Sequence, residues 1–266
     1  MLGRGYSLID RRSVTLADGR RVFAKLAVND QTAGFLRDEH AVYSRLSGGF
    51  LPELVGWDDD GRRPLLVIED LSDAHWPPPW RPGDVNAVIA TLEQVWACPP
   101  PDTLASVESE RDELTRWPLV AADPAPMLSV GVCGGQWLDA HLPTLIAAAN
   151  AAPLEGERLL HLDVRSDNIC VGEGGAILVD WNWAMVGNPE LDLAGWLPSL
   201  EAEGGPPPEQ LLPDAPELAS LMAGFFASHA GLPPPEFAPR VREVQKSQLR
   251  TALPWAARAL GLPPPI

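Results

Sequence analysis

The run His161-Leu162-Asp163-Val164-Arg165-Ser166-Asp167-Asn168, with Asp180 twelve residues beyond Asn168, decides how this chain is read. An Asp, an Asn five positions on and a second Asp across a short hairpin are the groups that phosphoryl transfer uses. One carboxylate takes the proton of the acceptor, while the amide and the other carboxylate hold a metal on the nucleotide. Between Asn168 and Asp180, the apolar runs Ile169-Cys170-Val171 and Ala176-Ile177-Leu178-Val179 flank Gly172-Glu173-Gly174-Gly175, which is the composition of a β-hairpin. Pairing Val171 with Ala176 sets Asn168 opposite Val179, so Asp180 emerges beside Asn168. Mg²⁺ usually takes one or two protein oxygens and completes its octahedron with water and phosphate oxygens, so this pair suffices. Taken alone, the segment also fits an ordinary hairpin with polar ends. His161 and Asp163 immediately before it weigh against that.

Length and composition bound the rest. A chain of 266 residues holds one large domain or two small ones, and ten Trp supply aromatic anchors for a core. No stretch approaches the roughly 20 apolar residues needed to span a bilayer. Met1-Leu2-Gly3-Arg4 opens no apolar signal core, and Cys98, Cys133 and Cys170 have neither metal-ligand nor disulfide-framework spacing. A cytoplasmic enzyme is expected. The formal charge of -16 argues against non-specific binding of nucleic acid or anionic membranes. It suits a cationic acceptor such as an amino sugar, although general surface acidity accounts for it equally well. An anionic nucleotide needs local cations against this background, and Lys25 and Arg165 are the candidates.

Residues 1–71 read as a small β-rich lobe and residues 72–266 as a mainly helical one. An Asp18-Gly19 turn joins Val14-Thr15-Leu16 to Arg21–Leu26, with Phe23, Lys25 and Ala27 on one strand face. A helix is predicted over 30–46, stopped by Gly48-Gly49, and Leu65–Ile68 reads as a buried strand. Further helices are predicted from Asp84 and near 105–117, 135–149, 215–229 and 238–260. Leu218, Leu221, Met222, Phe225 and Phe226 form the core stripe of the fourth of these. Pro143 and Pro254 should kink or break their helices. Proline triplets at 77–79, 99–101, 206–208, 233–235 and 263–265 read as rigid connectors.

With these elements in order, the chain resembles the aminoglycoside phosphotransferase and choline kinase group. Besides the catalytic run, Gly187-Asn188-Pro189-Glu190-Leu191-Asp192 matches that family's segment after the metal Asp. The resemblance covers roughly residues 20–200. It implies an α+β, bilobal protein-kinase-like fold, with a small antiparallel-sheet N-lobe carrying one helix and a larger helical C-lobe. It also implies transfer of a phosphoryl group from Mg²⁺-bound ATP, or GTP, to a hydroxyl of a small molecule: an aminoglycoside, an amino sugar or a choline-like alcohol. By the same resemblance, Lys25 orients the phosphates, Glu39 fixes its ammonium, and Glu69-Asp70-Leu71 is the hinge that receives the base. Ser7, with Gly3 and Gly5, falls in the phosphate-covering loop. Asp163 aligns the acceptor hydroxyl, and Asn168 and Asp180 hold Mg²⁺. Arg165 either reaches the transferring phosphoryl, pairs internally with Asp167 or is a plain surface Arg. His161 and Asp192 are structural, and Trp181, Asn182 and Trp183 either border the acceptor pocket or pack.

The pattern departs from the family at several places. Leu162 stands where the family has Gly, Trp181 follows the metal Asp, and the N-terminal loop is short. Only six residues separate Asp180 from Gly187, which leaves no room for a peptide-docking segment and favours a small acceptor. A nucleotide-binding pseudokinase with a regulatory role is the alternative, opposed by the complete Asp163/Asn168/Asp180 set. A metal-dependent hydrolase is a third reading, opposed by the scatter of His40, His75, His141 and His229.

Overall fold

Lys25 lies in the middle of a sheet because the Asp18-Gly19 turn forms where the pattern predicts it. Gly19 has φ +86°, and Leu16 closes the turn by accepting from Gly19 N–H at 3.0 Å and donating to Arg20 at 2.8 Å. The computed structural model describes residues 8–265, so Ser7, Gly3 and Gly5 lie outside the described residues. In chain order the strands are β1 (Asp10–Thr15), β2 (Arg21–Leu26), β3 (Leu54–Asp58), β4 (Leu65–Glu69), β5 (Arg158–Leu160), β6 (Ile169–Gly172), β7 (Gly175–Leu178) and β8 (Met185–Gly187). The α-helices are α1 (Asp30–Tyr43), α2 (Asp84–Ala97), α3 (Arg111–Leu114), α4 (Trp117–Ala122), α5 (Ala125–Ser129), α6 (Gly135–Asn150), α7 (Glu190–Ala202), α8 (Pro216–Ala230) and α9 (Val241–Ala259). They belong to two compact units. One comprises 8–104, 159–185 and 236–238, and the other 105–158, 186–235 and 239–265.

The first unit is built on an antiparallel sheet of order β1-β2-β4-β3. Strand β3 escapes the sequence reading because Gly56 interrupts its apolar run, and the register with β4 shifts at that point. Helix α1 starts at a capping box, in which the Asn29 side chain accepts from Thr32 N–H at 2.9 Å and Thr32 Oγ1 accepts from Asn29 N–H at 3.1 Å. It ends at Tyr43, short of the predicted Leu46, so Gly48-Gly49 lies beyond the stop rather than making it. Its buried stripe is Thr32, Leu36, Glu39 and Tyr43, at helical spacing. Hence a carboxylate sits within an otherwise apolar face, a position that demands a partner.

The second hairpin forms in the predicted register, with Val171 opposite Ala176 and Val179 N–H donating to Asn168 at 2.9 Å. Pairing runs on to Gly172 and Gly175, so the turn is only Glu173-Gly174, with Gly175 at φ +118°. Helix α2 covers the hairpin, and Thr91 Oγ1 donates to Ala176 O at 3.0 Å. Cys170, on β6, is fully buried; burial, helped by the charge of Glu69, pushes its thiol pKa up to about 12. Cys133 is buried as well, whereas Cys98 is partly exposed. A disulfide-exchange reagent at pH 8 should therefore label Cys98 quickly in the native protein, and Cys133 and Cys170 only in denaturant. Rapid native labelling of Cys170 would contradict this packing.

In the second unit α8 is central, touching α3 to α7 and α9. Its predicted stripe is borne out for Leu218, Leu221, Met222 and Phe226, which are buried. Of the two outcomes expected at Pro143 and Pro254, a kink or a break, the break does not occur: both lie inside continuous helices. Each proline removes one backbone donor, but α6 and α9 both pack on α8, and Leu253, Trp255 and Ala256 are buried around Pro254. The helix expected over 105–117 is instead a 3₁₀ turn (Val107–Glu110) and α3, with α4 starting at Trp117. Pro118 is tolerated only in a first turn and so forces that new start. Helix α7 went unread because Leu191, Ala194, Trp196, Leu197 and Leu200 bury almost its whole circumference, leaving no polar face to mark the period. Among the described residues, no helix is long and apolar enough to cross a membrane.

Candidate active site

All the candidate residues that the structure describes lie in the first unit. Strand β2 presents Lys25 to α1, and its ammonium donates to both oxygens of Glu39, at 2.8 and 3.0 Å. Both side chains are buried, and Lys25 Nζ also contacts Asp180 Oδ1. Burial works against the Lys25 ammonium, but the charges of Asp180 and Glu39 outweigh it and raise its pKa. For Glu39, burial prevails over Lys25 and raises the carboxyl. Burial also opposes ionisation of Asp180; Lys25, Arg11 and Arg165 overcome it and bring its pKa down to about 2. Asp180 is thus held ionised, as a metal ligand must be. Tyr43, one turn after Glu39, is also buried. Burial, then the charges of Glu39 and Asp180, keep this phenol protonated.

The run from His161 to Asn168 is folded around His161. Asp163 N–H donates to Nδ1 at 3.2 Å, so the ring proton sits on Nε2, which donates to Val179 O at 2.9 Å. The fully buried imidazole therefore ties the loop to Val179, between the end of β7 and Asp180, in agreement with the structural reading. Asn168 spends its amide nitrogen on Asp163, donating to the backbone oxygen at 2.9 Å and to Oδ2 at 2.8 Å. The amide oxygen is then the atom left for a cation. Arg165 bridges two carboxylates: it pairs with Asp163 Oδ2 at 3.2 Å and with Asp167 Oδ1 at 3.1 Å. The internal partnership considered for Arg165 is therefore present and extends to Asp163. Burial raises the pKa of Asp163, assisted by Asp180 and opposed by Arg165 and Asn168. The pKa of Asp167 is also raised, chiefly by burial.

Two residues here hold left-handed backbone, Leu162 at φ +59° and Asp180 at φ +63°. Asp tolerates that region, whereas Leu does so at a cost of roughly 1–2 kcal/mol. The loop keeps the conformation that a Gly would adopt freely, even though Leu occupies the position. Trp181 packs: its indole donates to Leu178 O at 2.8 Å, and its ring meets His161 at 4.6 Å and Phe50 at 5.9 Å. Trp183 differs, being 54% exposed, with Phe35 of α1 at 6.0 Å. Glu69 ends β4 opposite Val22, and the Leu71 carbonyl accepts from Trp76 Nε1 at 3.0 Å and Ala74 N–H at 3.1 Å.

Arg11 was missed by the sequence reading. Counting outward from the Asp18-Gly19 turn, with Thr15 opposite Arg21, places Arg11 directly opposite Lys25. The signal was in the hairpin register and not in any motif. The charges of Lys25, Arg11 and Arg165 all act on Asp180, and that of Arg165 acts on Asp163 and Asp167 as well. Among the described residues no three His, Cys, Asp or Glu side chains cluster as a metal cage. The donor set, one amide oxygen and one ionised carboxylate, fits Mg²⁺ with its remaining positions filled by water and phosphate.

Residues 8–214 match the family described as the phosphotransferase enzyme family. No curated protein matches the chain in sequence. Among solved structures, a thermostable mutant of aminoglycoside phosphotransferase APH(4)-Ia is similar with a TM-score of 0.53 at 18% identity, over 95% of this chain and 92% of that one. A choline/ethanolamine kinase family protein from Mesorhizobium loti gives 0.54 at 16% identity, over 97% and 92%. Amicoumacin kinase hAmiN, in complex with AMP-PNP, Ca²⁺ and Ami, gives 0.51 at 12% identity, over 91% and 85%. These likenesses establish the α+β, protein-kinase-like fold. The chain belongs to the phosphotransferase enzyme family.

Proposed function

We propose that this protein transfers the γ-phosphoryl of Mg²⁺-bound ATP to a hydroxyl of a small molecule. The observation that carries this reading is the convergence of Lys25, Asp163, Asn168 and Asp180, from a sheet strand and a hairpin, on one charged cluster. Asn168 and Asp180 would hold the metal, which neutralises charge developing on the phosphoryl oxygens. Lys25, kept charged by Glu39 and Asp180, would orient the phosphates, and Glu69 and Leu71 would receive the base. Asp163 lies at hydrogen-bond distance from Asn168 and so beside the metal position. Its carboxylate would accept the acceptor hydroxyl's proton and align the oxygen for in-line attack. Arg165 would hold that carboxylate in place and lend positive charge to the transferring group. Residues 1–71 would form the nucleotide lobe and 72–266 the lobe that completes the acceptor site.

The acidity of the chain favours a cationic acceptor. The three structural neighbours, an aminoglycoside phosphotransferase, a choline/ethanolamine kinase family protein and an amicoumacin kinase, set the compounds to try first. With γ-labelled ATP and Mg²⁺, a panel of aminoglycosides, amino sugars and choline should include at least one compound that gains label. Labelled product from an acceptor lacking a hydroxyl, or none from any acceptor despite tight ATP binding, would overturn the reading. The second outcome would favour a nucleotide-binding regulator.

A further inference from the structure

The chain that follows β4 returns to the second hairpin and encloses a cavity beside it. His75 bridges Val171 of β6: Val171 N–H donates to His75 O at 2.7 Å, and His75 N–H to Val171 O at 3.1 Å. His75 Nε2 faces two acceptors, Asp84 Oδ2 and Pro79 O, each at 3.1 Å, so it carries a proton. Asp84, the first residue of α2, accepts from Arg81 N–H at 2.7 Å through the same oxygen. Its Oδ1 accepts no hydrogen bond from the described residues, although Asp84 is only 6% exposed. A buried carboxylate with one oxygen satisfied and the other open is costly unless a donor meets the second oxygen. His75 and Asp84 line a cavity of about 390 Å³, together with Asp73, Arg81, Gly172 and Glu173. Arg21 pairs with Asp73, and Arg81 offsets one more carboxylate, so the lining keeps an excess of negative charge.

We infer that this cavity binds a small organic amine in its protonated form, which donates N–H groups to Asp84 Oδ1 and shares its charge with Glu173. A bare metal ion is a poorer fit, since no three His, Cys, Asp or Glu side chains among the described residues cluster as a metal cage. An anion would meet more carboxylates than cations. Gly172 stands four residues along the hairpin from Asn168, roughly 13 Å in an extended strand. The cavity therefore lies at the turn end of the hairpin, and the site goes beyond the phosphoryl-transfer reading without depending on it.

The test is titration calorimetry of the intact protein with butane-1,4-diamine at pH 8 and fixed ionic strength, beside tetramethylammonium, a cation without an N–H group. The diamine carries no hydroxyl, so it cannot serve as a phosphoryl acceptor of the kind proposed above. Wild type should bind it saturably, and should bind tetramethylammonium about tenfold more weakly or not at all. Asp84→Asn keeps an oxygen for His75 and Arg81 N–H, and thermal melts check that it is folded. It should bind the diamine about tenfold more weakly or worse. Glu173→Gln, on the exposed turn, should cost about two- to fourfold, and Arg81→Ala should tighten binding. No binding by wild type, or equal binding of the two cations, would overturn the inference. Unchanged affinity in folded Asp84→Asn would put the diamine at another carboxylate and overturn it as well. All of these titrations are made without nucleotide, so the inference fails separately from the phosphoryl-transfer reading.

Discussion

Asp163→Asn should bind Mg²⁺-ATP as wild type does and yet turn over roughly 10²- to 10⁴-fold more slowly, the usual contribution of a positioned general base. The substitution keeps the shape of the side chain and can still meet the Asn168 amide, so the loop should persist. What disappears is the acceptor for the substrate proton and the negative charge that Arg165 faces. Because Asp163 touches Asn168, its loss must be separated from damage to the metal site. Nucleotide affinity measured with and without Mg²⁺ makes that separation. A fall in turnover with intact metal-dependent binding assigns the effect to the acceptor step. Near-normal turnover would remove Asp163 from the mechanism.

Lys25→Met should have the largest effect on stability. Breaking a buried ion pair by removing one partner costs about 3–5 kcal/mol, because the remaining charge stays desolvated. Here Glu39 is left within the apolar stripe of α1, and Asp180 loses its strongest counter-charge. The double variant Lys25→Met/Glu39→Leu should regain much of that stability, since apolar side chains of similar volume replace the pair. It should not regain ATP binding. Denaturant melts beside ATP titrations distinguish these outcomes. If the double variant bound ATP normally, Lys25 would be a structural residue only. If Lys25→Met alone were as stable as wild type, the ion pair would contribute nothing measurable.

The parts of this molecule that could be read from its sequence are those that local rules control. The Asp18-Gly19 turn fixed one hairpin, and glycines flanked by apolar runs fixed the other, so the neighbourhood of Asn168 and Asp180 followed from counting. The pairing of Lys25 with Glu39 was anticipated only through family resemblance. Physically it shows as a carboxylate at a core position of α1, which a search for charges on buried stripes would flag. Other features depend on tertiary packing that no short window contains. Helix α7 is buried nearly all round, Pro143 and Pro254 are carried through by neighbouring helices, and Trp181 and Trp183 have opposite fates one residue apart. Arg11 lies between these classes: its position opposite Lys25 follows from the register, while the effect of its charge on Asp180 depends on the tertiary fold.

A nucleotide site closed by a metal on Asn168 and Asp180 can be probed by calorimetric titration of ATP with and without Mg²⁺, on wild type and Asp180→Asn. Asn tolerates the left-handed backbone at this position and preserves the side-chain volume, so the variant changes little besides the charge. Wild type should bind ATP more tightly when Mg²⁺ is present, and the variant should lose that gain while keeping its metal-free affinity. An equal Mg²⁺ effect in both proteins would place the metal elsewhere and remove Asp180 from its site.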